Sequence, residues 1–258
     1  MIQTKAEGIY DGTVAETLNQ EYYDYSDFSN CGLWHDGIKT QKAACENLME
    51  ELLAFITKKT GNILDAACGM GATTRYLLKY YKPEKVTGIN ASEEQLAACK
   101  KNALRCKFLL ISPTKLDFKN ITFDTIICIE SAFRFNTRKK FFEEAYRVLK
   151  PGGTLVLSDI LMSRLLFKLG KTISEENFLP DIESYQALLN DIGFKKVTIR
   201  DETHACWGGM YYNRGRFLRE KLQQRELNPF SFKKAMSRLF FLHKNILNYI
   251  LVAATKPK

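Results

Sequence analysis

The most chemically loaded stretch of the sequence runs from Ile63 to Leu77, where Asp65 stands four residues before Gly69-Met-Gly71. Glycines placed after an apolar run and before a helix-forming segment let backbone N–H groups face a ligand at the start of that helix. The loop is not a dinucleotide fingerprint, because the third glycine position is Thr74. The Lys-Ser/Thr pair of a phosphate-binding loop is missing as well. What remains is the acid. A carboxylate at Asp65 repels a phosphate and attracts an ammonium or sulfonium. Its structural alternative is a strand-end carboxylate that caps the glycine turn.

Other reactive types are sparse. Of the three histidines, His35 and His204 are candidate proton acceptors, together with Glu130 and the tyrosines of an N-terminal aromatic cluster. His243 falls in an amphipathic late segment and reads as structural. Arg134 offers a planar fork that suits a substrate carboxylate or phosphate, against the plainer reading of a solvated residue at a helix start. The aromatic cluster comprises Tyr22, Tyr23, Tyr25, Phe28 and Trp34, of which Tyr22 and Trp34 are the candidate pocket walls. The seven cysteines, at 31, 45, 68, 99, 106, 128 and 206, form no CxxC and no metal-ligand spacing. No metal is expected, and a reduced cytoplasm is the simplest setting.

The elements that must position these groups follow from periodicity. Strands are expected at Asn62–Ala66, Lys85–Ile89, Lys107–Ile111, Thr125–Ile129 and Gly153–Ser158. Helices are expected at Ala72–Tyr81, from about Glu93 to Leu104, and at Lys139–Leu149, where Lys150-Pro-Gly-Gly153 stops the last of them. A helix over Asp181–Ile192 capped by Gly193, a strand at Lys196–Arg200 and an edge strand over Tyr249–Ala254 complete the set. Alternating strands and helices imply a doubly wound, mostly parallel α/β sheet. The expected organisation is one domain over 1–258: an N-terminal helical cap (1–58), a cofactor-binding core (59–160), and a lid insertion with C-terminal strands (161–258). Residues 160–180 are the expected lid.

Composition narrows the class further. With 258 residues, 45% hydrophobic and 26% charged, the chain suits a soluble globular fold. No apolar run is long enough to span a bilayer and no membrane partner is expected. The N-terminal residues carry neither a basic nor an apolar leader pattern, which also points to the cytoplasm. Net charge is +9, from 38 Lys+Arg against 29 Asp+Glu. The lysines are spread along the chain, so a nucleic-acid partner is not favoured.

Taken in order, four segments resemble the class I S-adenosylmethionine-dependent methyltransferases: Asp65 to Gly71, Val86-Thr-Gly-Ile-Asn-Ala-Ser92, Phe123-Asp-Thr-Ile-Ile-Cys-Ile-Glu-Ser131 and Arg147-Val-Leu-Lys-Pro-Gly-Gly153. Asp181 to Phe194 resembles that group's later helix. The likeness is to the small-molecule branch, which methylates sterols, sugars and natural products on O, N or C. It implies a Rossmann-like seven-stranded fold, S-adenosylmethionine as cofactor and a small-molecule acceptor as partner. Oligomeric state is left open.

The resemblance also implies roles. Asp65 would hold the methionine ammonium, while Ala67, Gly69 and Gly71 shape the loop around the methionine tail. Asn90, beside Ala91, stands where the family carries an acid for the ribose hydroxyls, and its amide accepts from one hydroxyl and donates to the other. Gln95 closes a capping box with Ser92 and is a second cofactor contact. Ser112 takes the place of the family's adenine-binding Asp. The backbone at Ile129 and the side chain of Glu130 would lie near the sulfonium. Where relatives carry histidines after the fourth strand, this chain has Phe133 and Arg134, expected at the substrate. His204, in a segment that lines the pocket of related enzymes, is with Glu130 the candidate base. Two other functions remain compatible with the departures: an RNA or protein methyltransferase, and a cofactor-binding protein with lost or cyclase-like catalysis.

Overall fold

The structure, a computed structural model, describes residues 12–169 and 173–258. The expected leaderless start, over residues 1–11, and positions 170–172 of the expected lid lie outside the described residues. Two helices, α1 (Gly12–Tyr22) and α2 (Gln41–Ala54), precede the sheet. Thr40 caps α2 by accepting from Ala43 N, and the helix buries Ala44, Cys45, Leu48, Met49, Leu52 and Leu53 on one side.

Then come β1 (Ile63–Ala66), α3 (Ala72–Leu77), β2 (Val86–Asn90), α4 (Glu93–Asn102), β3 (Lys107–Leu110) and β4 (Phe123–Ile129). They are followed by α5 (Arg138–Val148), β5 (Leu149–Met162), α6 (Arg164–Leu169), α7 (Ile182–Ile192) and β6 (Lys195–Asp201). The chain finishes with α8 (Gly209–Gln223), α9 (Pro229–Asn245) and β7 (Ile246–Thr255). Side-chain caps start the helices where the sequence places them: Ser92 accepts from Gln95 N, Thr137 from Lys140 N and Asp181 from Ser184 N.

All seven strands form one sheet in the order β3-β2-β1-β4-β5-β7-β6. Neighbours from β3 to β5 are parallel, and β7 runs antiparallel to both β5 and β6. Consecutive residues of the central strands serve opposite faces. Ile63, Ile127, Val156 and Leu251 pack with α2 and α3, whereas Leu64, Ile126, Leu155 and Val252 pack with α5 and α7. Covering both faces explains why these strands read as continuous apolar runs.

Three expectations need correction. The helix expected to reach Tyr81 ends at Leu77, because Pro83 forces Lys82 to extended backbone and the chain must unwind first. β5 continues past Ser158 to Met162, and Asp159 is accommodated within it by burial against Arg138. The last strand is not at the edge: β7 is inserted between β5 and β6, and β6 takes the edge. Its unbroken burial from Tyr249 to Ala254 is what an interior strand requires.

Candidate active site

β1 leads outward to β2 and β3, while β4 leads the other way to β5, so the connections diverge above β1 and β4. Ligands of open α/β sheets bind in the crevice this opens at the carboxyl ends of the strands. Asp65, Asn90, Ser112 and Ile129 all lie at or just beyond those ends.

Asp65 is 1% exposed, and its Oδ2 accepts hydrogen bonds from Thr73 Oγ1 at 2.7 Å and Thr74 Oγ1 at 2.6 Å. Burial pushes its carboxyl up to about 6, against the two hydroxyls, which favour the charged form. Among the described residues no Lys or Arg pairs with it and no donor reaches Oδ1. Thr74 is the residue that breaks the dinucleotide fingerprint, and here it is a donor to the acid. That departure was the signal for a role the sequence reading left unassigned.

The loop after Asp65 turns through three left-handed residues, Ala67 at φ 67°, Gly69 at φ 55° and Gly71 at φ 93°. A Cβ on Gly71 would stand 2.9 Å from the Cα of Cys99, so the loop can lie against α4 only without a side chain there. A Cβ on Gly69 would meet nothing within 4 Å. The loop carbonyls are tied down from α4 and β2: Asn90 Nδ2 and Cys99 Sγ donate to Gly69 O at 3.0 and 3.1 Å, and Asn102 Nδ2 to Met70 O at 2.8 Å. Cys99 and Asn102 were missed, and their spacing of three along α4 was the available signal.

Asn90 also donates to Gln95 Oε1 at 2.9 Å and accepts from Ser92 N at 3.0 Å through Oδ1. Both amide hydrogens are therefore engaged within the protein, and only Oδ1 retains capacity, as an acceptor. Ala91 and Ser112 are exposed, and the Ser112 hydroxyl accepts from Thr114 N at 3.3 Å.

At the end of β4, Ile129 is buried and Glu130 takes a left-handed φ of 46°. The Glu130 carboxylate is 4% exposed and accepts from Cys31 N at 2.6 Å and Tyr249 Oη at 2.5 Å, with Cys31 Sγ 3.5 Å from its other oxygen. Burial, then the Glu130 charge, pushes both the Cys31 thiol and the Tyr249 phenol well up, so both keep their protons and act as donors. This arrangement is that of an anchor: it fastens the segment before α2 to β4 and β7.

The expected substrate residues separate. Phe133, expected at the substrate, is fully buried in the core, its N–H donating to Asp159 Oδ1 at 3.2 Å. Arg134 is exposed, its guanidinium 5.0 Å from the Phe133 ring. Tyr22 packs at 7% exposure against Phe217 and Tyr23 and donates to Met210 O at 3.4 Å. Trp34 is half-buried; its backbone N–H donates to Ala205 O at 3.0 Å, its indole N–H to Cys31 O at 3.1 Å, and its ring lies over Gly209. His204 is exposed at the start of a wide π-type turn, His204–Gly208, that leads into α8. Trp34 and His204 are thus brought to one junction, while His35 is exposed in a turn beside it.

Beneath the site, Asp159 is wholly buried and accepts from Arg138 Nε at 2.8 Å, Tyr185 Oη at 2.9 Å and Ile160 N at 2.9 Å. Arg138 in turn donates to the carbonyls of Asn177 and Ile160. An open groove of about 430 Å³ lined by Lys139, Glu143, Tyr146, Leu188, Asp191 and Ile192 lies on the α5–α7 layer and includes none of the strand-end residues.

Residues 63–153 match the family described as "Methyltransferase domain". The chain is 28% identical to erythromycin 3''-O-methyltransferase of Saccharopolyspora erythraea, over 83% of this chain and 74% of that one. It is 26% identical to 27-O-demethylrifamycin SV methyltransferase of Amycolatopsis mediterranei, over 88% and 89%. In architecture it is similar to the cyclopropane synthase MmaA2 from Mycobacterium tuberculosis, with a TM-score of 0.71 at 20% identity over 93% of this chain and 98% of that one.

Proposed function

We propose that this chain acts as a class I S-adenosylmethionine-dependent methyltransferase of the small-molecule type and that it methylates a hydroxyl oxygen on a natural-product acceptor. The observation that carries the choice of oxygen is the reach of the likeness. It extends over 83% and 88% of the chain to two enzymes named for natural-product substrates, one of them an O-methyltransferase by name, and so includes the elements outside residues 63–153.

The loop fits the cofactor. Asp65 is a buried carboxylate without a cation of its own among the described residues, which suits the methionine ammonium, and the space before Gly69 is open. In this reading Asp65 takes the ammonium, Ala67, Gly69 and Gly71 present backbone to the methionine tail, and Asn90 approaches the ribose as an acceptor through Oδ1. Ala91, Gln95 and Ser112 line the ribose and adenine side, and Ile129 faces the reacting end. When bound, the cofactor supplies an electrophilic methyl on its sulfonium, so the protein's task is alignment of the acceptor and exclusion of water.

His204 is the residue assigned to receive the hydroxyl proton, with Trp34 and Arg134 at the acceptor. The domain reading follows: residues 1–58 as cap, 59–160 as cofactor-binding core, 161–258 as lid and C-terminal strands of one domain. The test is S-adenosylhomocysteine release across hydroxylated macrolide and ansamycin acceptors, with the new methyl located by NMR. Transfer confined to amines or carbon overturns the reading. His204→Asn lowers kcat by about 10²- to 10⁴-fold if His204 is the base, and an unchanged kcat removes it from that role.

A further inference from the structure

α9 divides its residues between two faces. Phe232, Ala235, Met236, Leu239 and Leu242 pack inward. On the outside, at helical spacing, Phe230, Lys233, Ser237, Phe240, Phe241 and Lys244 are exposed. Phe230 is 75% exposed, Phe240 51% and Phe241 37%, where a surface helix ordinarily turns polar residues to water. α6 joins the far end of α9 through Ser163, whose N–H donates to Asn245 O at 2.8 Å and whose hydroxyl donates to Asn245 Oδ1 at 2.6 Å. It extends the pattern with Leu165 at 54% and Leu169 at 59% exposure, beside exposed Arg164 and Lys168.

The exposed charged side chains on the two helices are of one sign. Residues 160–174 contain Arg164, Lys168 and Lys171, residues 227–248 contain Lys233, Lys234, Arg238 and Lys244, and neither stretch has an Asp or Glu. Among the described residues, Arg164, Lys168, Lys233 and Lys244 are exposed on these two helices.

We propose that the outer faces of α6 and α9 form a docking surface for an anionic lipid membrane. Exposed apolar side chains set among basic ones, with no Asp or Glu on either helix, match a helix that lies in the headgroup layer. The basic residues meet acidic headgroups while the phenylalanines and leucines enter the acyl boundary. A second copy of the chain is disfavoured, because it would bring two basic faces together. A single-stranded nucleic acid would use the lysines and stack on the phenylalanines but leave Leu165 and Leu169 without a partner.

This surface departs from the expectation of no membrane partner, yet it needs no spanning segment, and no described helix is long and apolar enough to cross a bilayer. Its position suits the chemistry. α6 leaves the carboxyl end of β5, and α9 enters β7, which runs antiparallel to β5, at that same edge of the sheet. The docking face therefore flanks the edge that carries Asp65, Asn90 and Glu130, and an acceptor dissolved in lipid has a short path to it.

The test is co-sedimentation of the full chain with vesicles of phosphatidylcholine alone and of phosphatidylcholine mixed with phosphatidylglycerol, without cofactor or acceptor, so that it is read separately from methyl transfer. Binding is expected only with phosphatidylglycerol present and falls as salt rises. The pair Phe240→Ser and Phe241→Ser lowers partitioning at least tenfold. Each of Lys233→Ser and Lys244→Ser lowers it about fivefold. All four side chains are exposed, so an unchanged thermal midpoint certifies the fold of the variants. Equal binding to both vesicle types, no binding, or variants that bind like the wild type overturn the proposal. So does single-stranded RNA that binds while phosphatidylglycerol vesicles do not, or a dimer that the phenylalanine pair disperses.

Discussion

Replacing Glu130 separates an anchor from a base. Its carboxylate accepts from the Cys31 N–H at 2.6 Å and the Tyr249 O–H at 2.5 Å, in a place only 4% exposed. Glu130→Ala leaves both donors buried without an acceptor, each costing about 1–3 kcal/mol, and opens a void besides. The left-handed φ of 46°, a strain of about 1–2 kcal/mol, stays with alanine while the bonds that hold it are lost. The expected loss is about 3–5 kcal/mol, read by urea unfolding, with a raised KM as the N-terminal segment loosens. Glu130→Gln keeps a carbonyl in reach of both donors and gives up mainly the charge-assisted part, about 1 kcal/mol. Its kcat is expected within about tenfold of the wild type. A Glu130→Gln protein of normal stability whose kcat falls by about 10²–10⁴ refutes this reasoning and makes Glu130 the proton acceptor.

Folding raises the Asp65 carboxyl from its ordinary 3.8 to about 6, so the folded chain carries a cost of about 3 kcal/mol above pH 6 that disappears as pH falls toward 4. Cofactor affinity moves the opposite way, weakening about tenfold per unit below pH 6, and a flat calorimetric profile between pH 5 and pH 8 would count against Asp65 as the ammonium partner. Ala67 occupies the left-handed region at φ 67°, and Ala67→Gly is expected to raise stability by about 0.5–1 kcal/mol; a lowered melting point contradicts that. Arg138→Leu leaves the Asp159 carboxylate buried without its cation and is expected to cost about 3–5 kcal/mol in urea unfolding.

Sequence pattern located the strand ends that matter because each depends on local signals: an apolar run, a turn, and a cap. Asp65, the glycine loop, Asn90 with its Ser92 cap, and Ile129 all follow from such neighbours. The features it missed depend on distant ones. Arg138 carries no local mark in the sequence, and only the fold sets it against Asp159, 21 residues on, and Asn177, 39 residues on. For Glu130 the sequence offers a carboxylate bonded to nearby backbone N–H groups or a candidate base, and cannot name Cys31 and Tyr249, which arrive from distant parts of the chain, as its partners. Phe133 sits where relatives place a functional group, and nothing local marks it as core. For β7 the apolar run announces a strand, but its place between β5 and β6 is decided by competition among the whole set.

The bonds that join Cys31, Glu130 and Tyr249 also impose an order on assembly. On the ribosome the segment around Cys31 is made before Glu130, and Glu130 before Tyr249. The slot between β5 and β6 stays unfilled until β7 has been synthesised. The segment around Cys31 is thus made well before it can be fully fastened, and until then the nascent chain carries an open strand edge. A chain truncated before Ile246 would keep the glycine loop but lack the Tyr249 hydroxyl that helps fasten the Cys31 segment through Glu130.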